Sequence, residues 1–189
     1  MERLKKVAIK AFTFQVQAKG SRNLRVGIIS DTHGYLDPTI LILFRGCDRI
    51  LHLGDIGVPD ILMELKKVAP ITAIRGNHEP AGLIHLPMLR FLKLEGVKIA
   101  LSHGLSSMDR DVARAMFSQY FEGLKAKQIK IVLFGHTHHA EAYEQDGIVF
   151  LNPGYAGAPS PAQPRSVAIL HLNKSGEWAF ELMPLQNFC

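Results

Sequence analysis

The sequence predicts an α/β sandwich, with sheets inside and helices outside. Three observations lead to it. Between Leu24 and Ile74, apolar runs of strand length alternate with helix-length segments, the pattern of a mostly parallel inner sheet. Beyond Pro87, apolar runs are joined directly by short turns at Glu95-Gly96, Asp146-Gly147 and Ser175-Gly176, as in hairpins. Third, five short polar motifs each begin where an apolar run stops, which places them on loops at strand tips. At 189 residues, the chain has the length of one domain and can bury a core without metal or disulfide support.

Taken in order, the elements follow from local pattern. Phe12, Phe14 and Val16 alternate with Thr13, Gln15 and Gln17, a period of two that predicts a short strand. Residues 1–23 are therefore read as a basic extension, an extra strand or a tethered arm, ahead of a domain at 24–189. Leu24–Ser30 is the first strand of that domain. Pro38 opens a short helix through Phe44, because proline suits the first helical turn. Arg49–Leu53 is the next strand. Pro59 opens a helix with Ile61, Leu62, Leu65 and Val68 along one side, and Ile71–Ile74 forms a third strand. Phe91–Leu94 and Val97–Leu101 pair as a hairpin. Residues 109–127 predict the longest helix, its Val112, Met116, Tyr120 and Leu124 spaced by four as a packing face. Ile131–Phe134 is a buried strand, and Ala142–Glu144 with Ile148–Leu151 a second hairpin. The Gly/Pro/Ala-rich stretch Pro153–Arg165 is a loop, followed by strands Val167–Leu172 and Trp178–Met183.

The formal charge of +5 is unevenly spread. Residues 1–25 carry seven basic side chains against one acidic, and the remaining chain carries 15 basic against 16 acidic. The body is thus close to neutral, which disfavours a nucleic-acid face, where Lys and Arg cluster on the folded domain. No apolar stretch approaches the roughly 18 residues of a membrane span, and the amino-terminal segment lacks the apolar core and cleavage site of a secretory signal. Cys47 and Cys189 are isolated, which points to a reducing cytosol and to packing or incidental thiols. The basic extension could also serve a neighbouring subunit's sheet edge, so a homo-oligomer is open to the chain.

The five motifs are Asp31-Thr32-His33, Gly54-Asp55, Gly76-Asn77-His78-Glu79, Ser102-His103-Gly104 and Gly135-His136-Thr137-His138. In an α/β sheet, strand tips are where ligands bind. Imidazoles, carboxylates and one amide make a mixed N/O field suited to Mn, Fe, Zn or Ni. Asp31 and His33 are separated by one residue, so extended backbone would send both to one face; His136 and His138 repeat the spacing. Taken singly, each residue has a plainer reading. A lone His is more often a hydrogen-bonded loop residue, and a lone Asp after Gly a turn former. His52, His85, His139 and His171 fall outside the ordered set and take that plainer reading. Glu79 either supports His78 or is solvated.

On these motifs in this order, with Asn152-Pro153-Gly154 and Arg165, the chain resembles the calcineurin-like metallophosphoesterase superfamily, in its small single-domain phosphodiesterase branch. The resemblance runs from about Arg25 to Leu172. It implies a four-layer α/β/β/α sandwich of two mixed sheets flanked by helices. It also implies two divalent transition-metal ions, Mn foremost, with Fe, Zn or Ni as alternatives. Asp31, His33 and His138 would ligate the first, Asp55 would bridge, and Asn77, His103 and His136 would complete the second. His78 would face the substrate. The implied reaction is hydrolysis of a small phosphate ester by a metal-bridging hydroxide, with Asn77 stabilising charge on the non-bridging oxygens and His78 either stabilising that charge or protonating the departing oxygen. Relatives in this branch often carry Cys-Asp where this chain has His78-Glu79, and a small Ser where it has Tyr155. Two other readings stay open: an inactive scaffold of the same fold, and a nuclease.

Overall fold

The computed structural model describes residues 23–104 and 122–185. The expected strand or arm within residues 1–22, most of the helix expected at 109–127, and Cys189 lie outside them. The described elements are, in order, β1 (Leu24–Ile29), α1 (Pro38–Leu43), β2 (Arg49–His52), α2 (Pro59–Val68), β3 (Ile71–Ala73), β4 (Leu89–Leu94) and β5 (Val97–Ser102), then β6 (Ile131–Phe134), β7 (Glu141–Gln145), β8 (Ile148–Asn152), β9 (Arg165–Leu172) and β10 (Trp178–Leu185).

They form two five-stranded sheets, ordered β10-β9-β1-β2-β3 and β4-β5-β6-β8-β7. Both are mixed, as the resemblance implied, and the mostly parallel inner sheet expected from strand–helix alternation alone is corrected. β1, β2 and β3 run parallel, but β9 returns antiparallel beside β1, and β10 beside β9. In the second sheet β5–β6 and β6–β8 are parallel, while β4 and β7 join the edges as antiparallel hairpin strands. For the hairpin pairs the reason is connection length: a short turn reverses the chain, whereas a parallel pair needs a crossover.

Three apolar layers hold four structural layers together. Along β1, Val26 and Ile28 face the other sheet, meeting Ile99 and Leu101 of β5 and Ile131 and Leu133 of β6. The alternate residue Ile29 faces outward with Ile50, against Ile40, Phe44, Ile61 and Leu65 of α1 and α2. Gly27 lies under Phe44: a Cβ there would stand 3.0 Å from the ring. On the second sheet's outer face Ala100, Val132, Phe134 and Phe150 pack with Leu124, which belongs to the helical residues 122–126. Both helices open with proline; Asp37 caps α1 by accepting the Thr39 N–H, which satisfies an otherwise orphaned donor. Asp37 also pairs with buried Arg165 at 2.8 Å, tying α1 to the start of β9.

Candidate metal centre

The tips of β1, β2 and β3 meet those of β5 and β6. The loops after β1 and β2 run side by side. The Asp31, His33 and Gly34 N–H groups donate to the carbonyls of Gly54, Asp55 and Ile56 at 3.0, 2.9 and 2.8 Å. Within the other sheet the Gly135 N–H donates to His103 O at 3.1 Å, and the two sheets are joined by the His136 N–H, which donates to Asp31 Oδ2 at 3.1 Å. The backbone here is not extended, and this corrects the reasoning from alternation. Asp31, His33, Asp55, His136 and His138 all have left-handed φ, between 46° and 71°. Two left-handed residues with one between them bring their side chains together by turning the chain, an arrangement that L-residues adopt only where surrounding structure imposes it.

The side chains converge in two groups. Asp31, His33 and His138 form one, and Asp55, His103 and His136 the other, each with donor atoms within 4.8 Å of one another. In the first, His33 Nε2 faces His138 Nε2 at 3.1 Å, and Asp31 Oδ1 lies 3.4 Å from His138 Nε2. In the second, Asp55 Oδ2 lies 3.3 Å from His103 Nε2, with no hydrogen bond between them. Asn77 Oδ1 meets His136 Nδ1 at 3.0 Å, which puts the amide at the second group. Asp55 Oδ2 is also 3.8 Å from His33 Nε2, within reach of both groups. His78 is exposed at the rim, its ring 6.5 Å from that of His33, while its N–H donates to Asp55 Oδ1 at 2.9 Å.

The chemistry of this donor set fits divalent metal. An ion holding N and O ligands at about 2.0–2.2 Å sets neighbouring donors roughly 3–3.5 Å apart, the spacing of the facing pairs above. Buried Asp31 Oδ1 and His103 Nε2 have no hydrogen-bond partner among the described residues, and buried polar atoms are seldom left so. The tautomer of His103 agrees. Its Nδ1 lies 2.7 Å from the Leu53 carbonyl, which only accepts, so Nδ1 carries the proton and Nε2 keeps its lone pair. Space is kept for Asp55 by Gly76, where any Cβ would collide with the Asp55 amide and Oδ1.

The carboxylates and burial set opposing biases. Burial disfavours ionised Asp55, yet His103, the His78 N–H and His33 hold its carboxyl well below the usual carboxylate range. Burial likewise opposes the charged form of His103, but Asp55 and Asp31 outweigh it and raise the pKa. His138 is raised, first by Asp31. His33 is lowered, because burial outweighs the pull of Asp55 and Asp31.

Two supporting residues were not assigned that role from sequence. Glu79 neither supports His78 nor sits in solvent. Its carboxylate accepts the N–H groups of Ile56 (3.0 and 3.1 Å), Gly57 (3.3 Å) and Gly76 (3.1 Å), clamping the Asp55 loop to the Asn77 loop. A carboxylate in a Gly-rich turn was the available signal. His52 is fully buried beneath the loops, as a satisfied core histidine. Thr32 Oγ1 donates to Ile56 O at 3.0 Å and accepts from His52 Nε2 at 3.0 Å, and His52 Nδ1 accepts the Gly54 N–H at 3.3 Å. Burial pushes its pKa down to about 3. His85 and His139 are exposed, and His171 is half-buried on β9; none joins either group of donors.

An α/β sandwich with imidazoles and carboxylates gathered at its strand tips has the form of a metallohydrolase. The chain belongs to the calcineurin-like phosphoesterase superfamily, whose domain model matches residues 24–175. A probable metallophosphoesterase of Methanothermobacter thermautotrophicus is 31% identical over 153 residues, covering 78% of this chain and 86% of that protein. A phosphodiesterase of Methanocaldococcus jannaschii is 24% identical over 149 residues, covering 69% of this chain and 83% of that one. Vps29 of Entamoeba histolytica, solved as a complex with Zn²⁺, has the same fold: TM-score 0.65 at 24% identity, over 85% of this chain and 98% of that chain.

Proposed function

We propose that the protein is a metal-dependent phosphoesterase, foremost a phosphodiesterase for small phosphate esters with monoesterase activity as an accessory. The observation that carries this is Asp55 Oδ2, placed 3.8 Å from His33 Nε2 in one donor group and 3.3 Å from His103 Nε2 in the other. Asp31, His33 and His138 would hold one divalent ion, and His103, His136 and Asn77 the other, with Asp55 shared. Mn is the first choice, with Fe, Zn and Ni compatible with the same donors; the zinc complex of Vps29 favours no exclusive metal. When bound, such a pair supplies Lewis acidity toward phosphoryl oxygens and lowers the pKa of water.

The chain's own contribution is orientation and proton transfer. Asp55 is fixed by the His78 N–H on Oδ1, and the Asp55 loop by Glu79. The His78 side chain, exposed at the rim, is free to give a proton to the departing oxygen, help worth on the order of 10²–10⁴ in rate. The Asn77 amide would steady charge on the non-bridging oxygens. In this reading residues 24–189 are one catalytic domain and 1–23 a basic extension. The substrate is a small ester rather than nucleic acid or a membrane component, and a homo-oligomer remains open. Buried Cys47 is a free thiol and suits a cytosolic setting; no helix among the described residues is long and apolar enough to cross a membrane.

The test is hydrolysis of a chromogenic phosphodiester against the matching monoester, metal-stripped and then supplied with Mn²⁺. We expect metal-dependent diester cleavage, reduced on the order of 10²–10⁴ in His78→Ala. Folded protein without turnover under any added metal would instead support a scaffold, and cleavage of single-stranded DNA or RNA a nuclease.

A further inference from the structure

The rings around the first donor group are flanked on two sides. His78 approaches from the His33 side at 6.5 Å. Tyr155 covers the His138 side, its ring centroid 4.9 Å from that of His138 at 31°, and 6.1 Å from His33 at 36°. Main-chain bonds to both neighbouring strands pin Tyr155. The Ser166 N–H donates to its carbonyl at 2.9 Å, and the next residue, Ala156, donates its N–H to Ser30 O at 3.1 Å. Gly157 leaves room for the phenol, since any Cβ there would run into the ring. Tyr155 is only half-buried, so part of the ring stays open at the mouth.

A phosphodiester carries two ester arms on one phosphorus, and a monoester carries one. Resting on the phosphodiesterase reading, we propose that Tyr155 walls a subsite for the second arm, the one not expelled, and that it favours an aromatic arm there. His78 serves the expelled oxygen from the other flank. The ring offers an apolar, polarisable surface against which a flat substituent gains by offset or edge contact, as bases do on aromatic platforms. Tyr155 is thus a specificity residue, neither a metal ligand nor a proton donor. It gives the site a means of telling an aryl diester from an alkyl diester or a monoester.

The test uses three substrates that expel the same 4-nitrophenolate and differ only in the other arm: 4-nitrophenyl phenyl phosphate, 4-nitrophenyl methyl phosphate and 4-nitrophenyl phosphate. In the metal-loaded protein, Tyr155→Ala should lower kcat/KM for the phenyl-arm diester on the order of tenfold, mainly through KM, and leave the other two unchanged. Gly157→Ala, which displaces the ring without deleting it, should show the same selective loss, and Tyr155→Phe should show none. Calorimetric titration of the metal-stripped Tyr155→Ala chain with Mn²⁺ should match wild type. Equal loss on all three substrates, or weakened Mn²⁺ uptake, would reduce Tyr155 to a buttress for His138 and overturn the proposal. No loss on the phenyl-arm diester would do the same. If the wild-type chain turns over none of the three, the phosphodiesterase reading itself falls and takes this inference with it, so the two failures are read from different chains.

Discussion

Asp55 has one oxygen on the His78 N–H and the other between the two donor groups. In the proposed metal centre, replacing it should therefore damage both donor groups at once. Asp55→Ala is expected to lose tight uptake of two Mn²⁺ equivalents in calorimetry; retention of both would refute a shared ligand. His52 gives a pH prediction on the metal-free chain. Its folded pKa, about 3, lies below the unfolded value of 6.5, so as pH falls the unfolded chain takes up the proton first. The stability it permits is complete above pH 6.5 and declines as pH falls toward 3, because the unfolded chain then binds the extra proton. His52→Gln should flatten that part of the acid limb in urea titrations at several pH values. The residues that converge in the two donor groups were legible as candidates in the sequence, because carboxylates and imidazoles in ordered motifs are chemically distinctive. Glu79 and His52 were not, because their partners are backbone N–H groups and a threonine, several of them 20 or more residues away, and no side-chain pattern announces such contacts.

Among elements, the hairpins were the most readable. Glu95-Gly96 and Asp146-Gly147 have φ of 45° and 82°, and 49° and 75°, left-handed at both central positions as a type I′ turn demands. Glu95 is a poor occupant of its position, since its Cβ opposes that backbone. Glu95→Asn should stabilise the chain by about 0.5–1 kcal/mol, seen as a higher denaturant midpoint with unchanged m. The proline-led helices were legible for the same local reason. Strand direction was legible only within the hairpins. That β9 lies antiparallel beside β1, more than 100 residues away in sequence, no local pattern announces. The left-handed conformation of the metal-site loops was also hidden, because Asp and His read equally well in extended backbone until a neighbouring strand fixes them.

At the scale of the molecule, the three apolar layers follow from alternation along each central strand, so the sandwich was visible before its topology. The donor groups lie at one end of it, assembled from both sheets. Metal that binds only the folded chain must therefore raise its stability. Free Mn²⁺ at about a hundred times its dissociation constant should add roughly 2.7 kcal/mol, near 5–10 °C in Tm for a chain this size, and a chelator should reverse it in a thermal melt. An unchanged Tm would place the metal elsewhere or nowhere. The five left-handed ligand residues carry a longer-range consequence. Glycine at His33 or His138 would relieve about 1–2 kcal/mol of backbone strain at each position while deleting a donor, whereas glycine at Asp31 would also orphan the His136 N–H. In the proposed metal centre, the turns that gather the donors are thus held against the backbone's own preference by the structure around them.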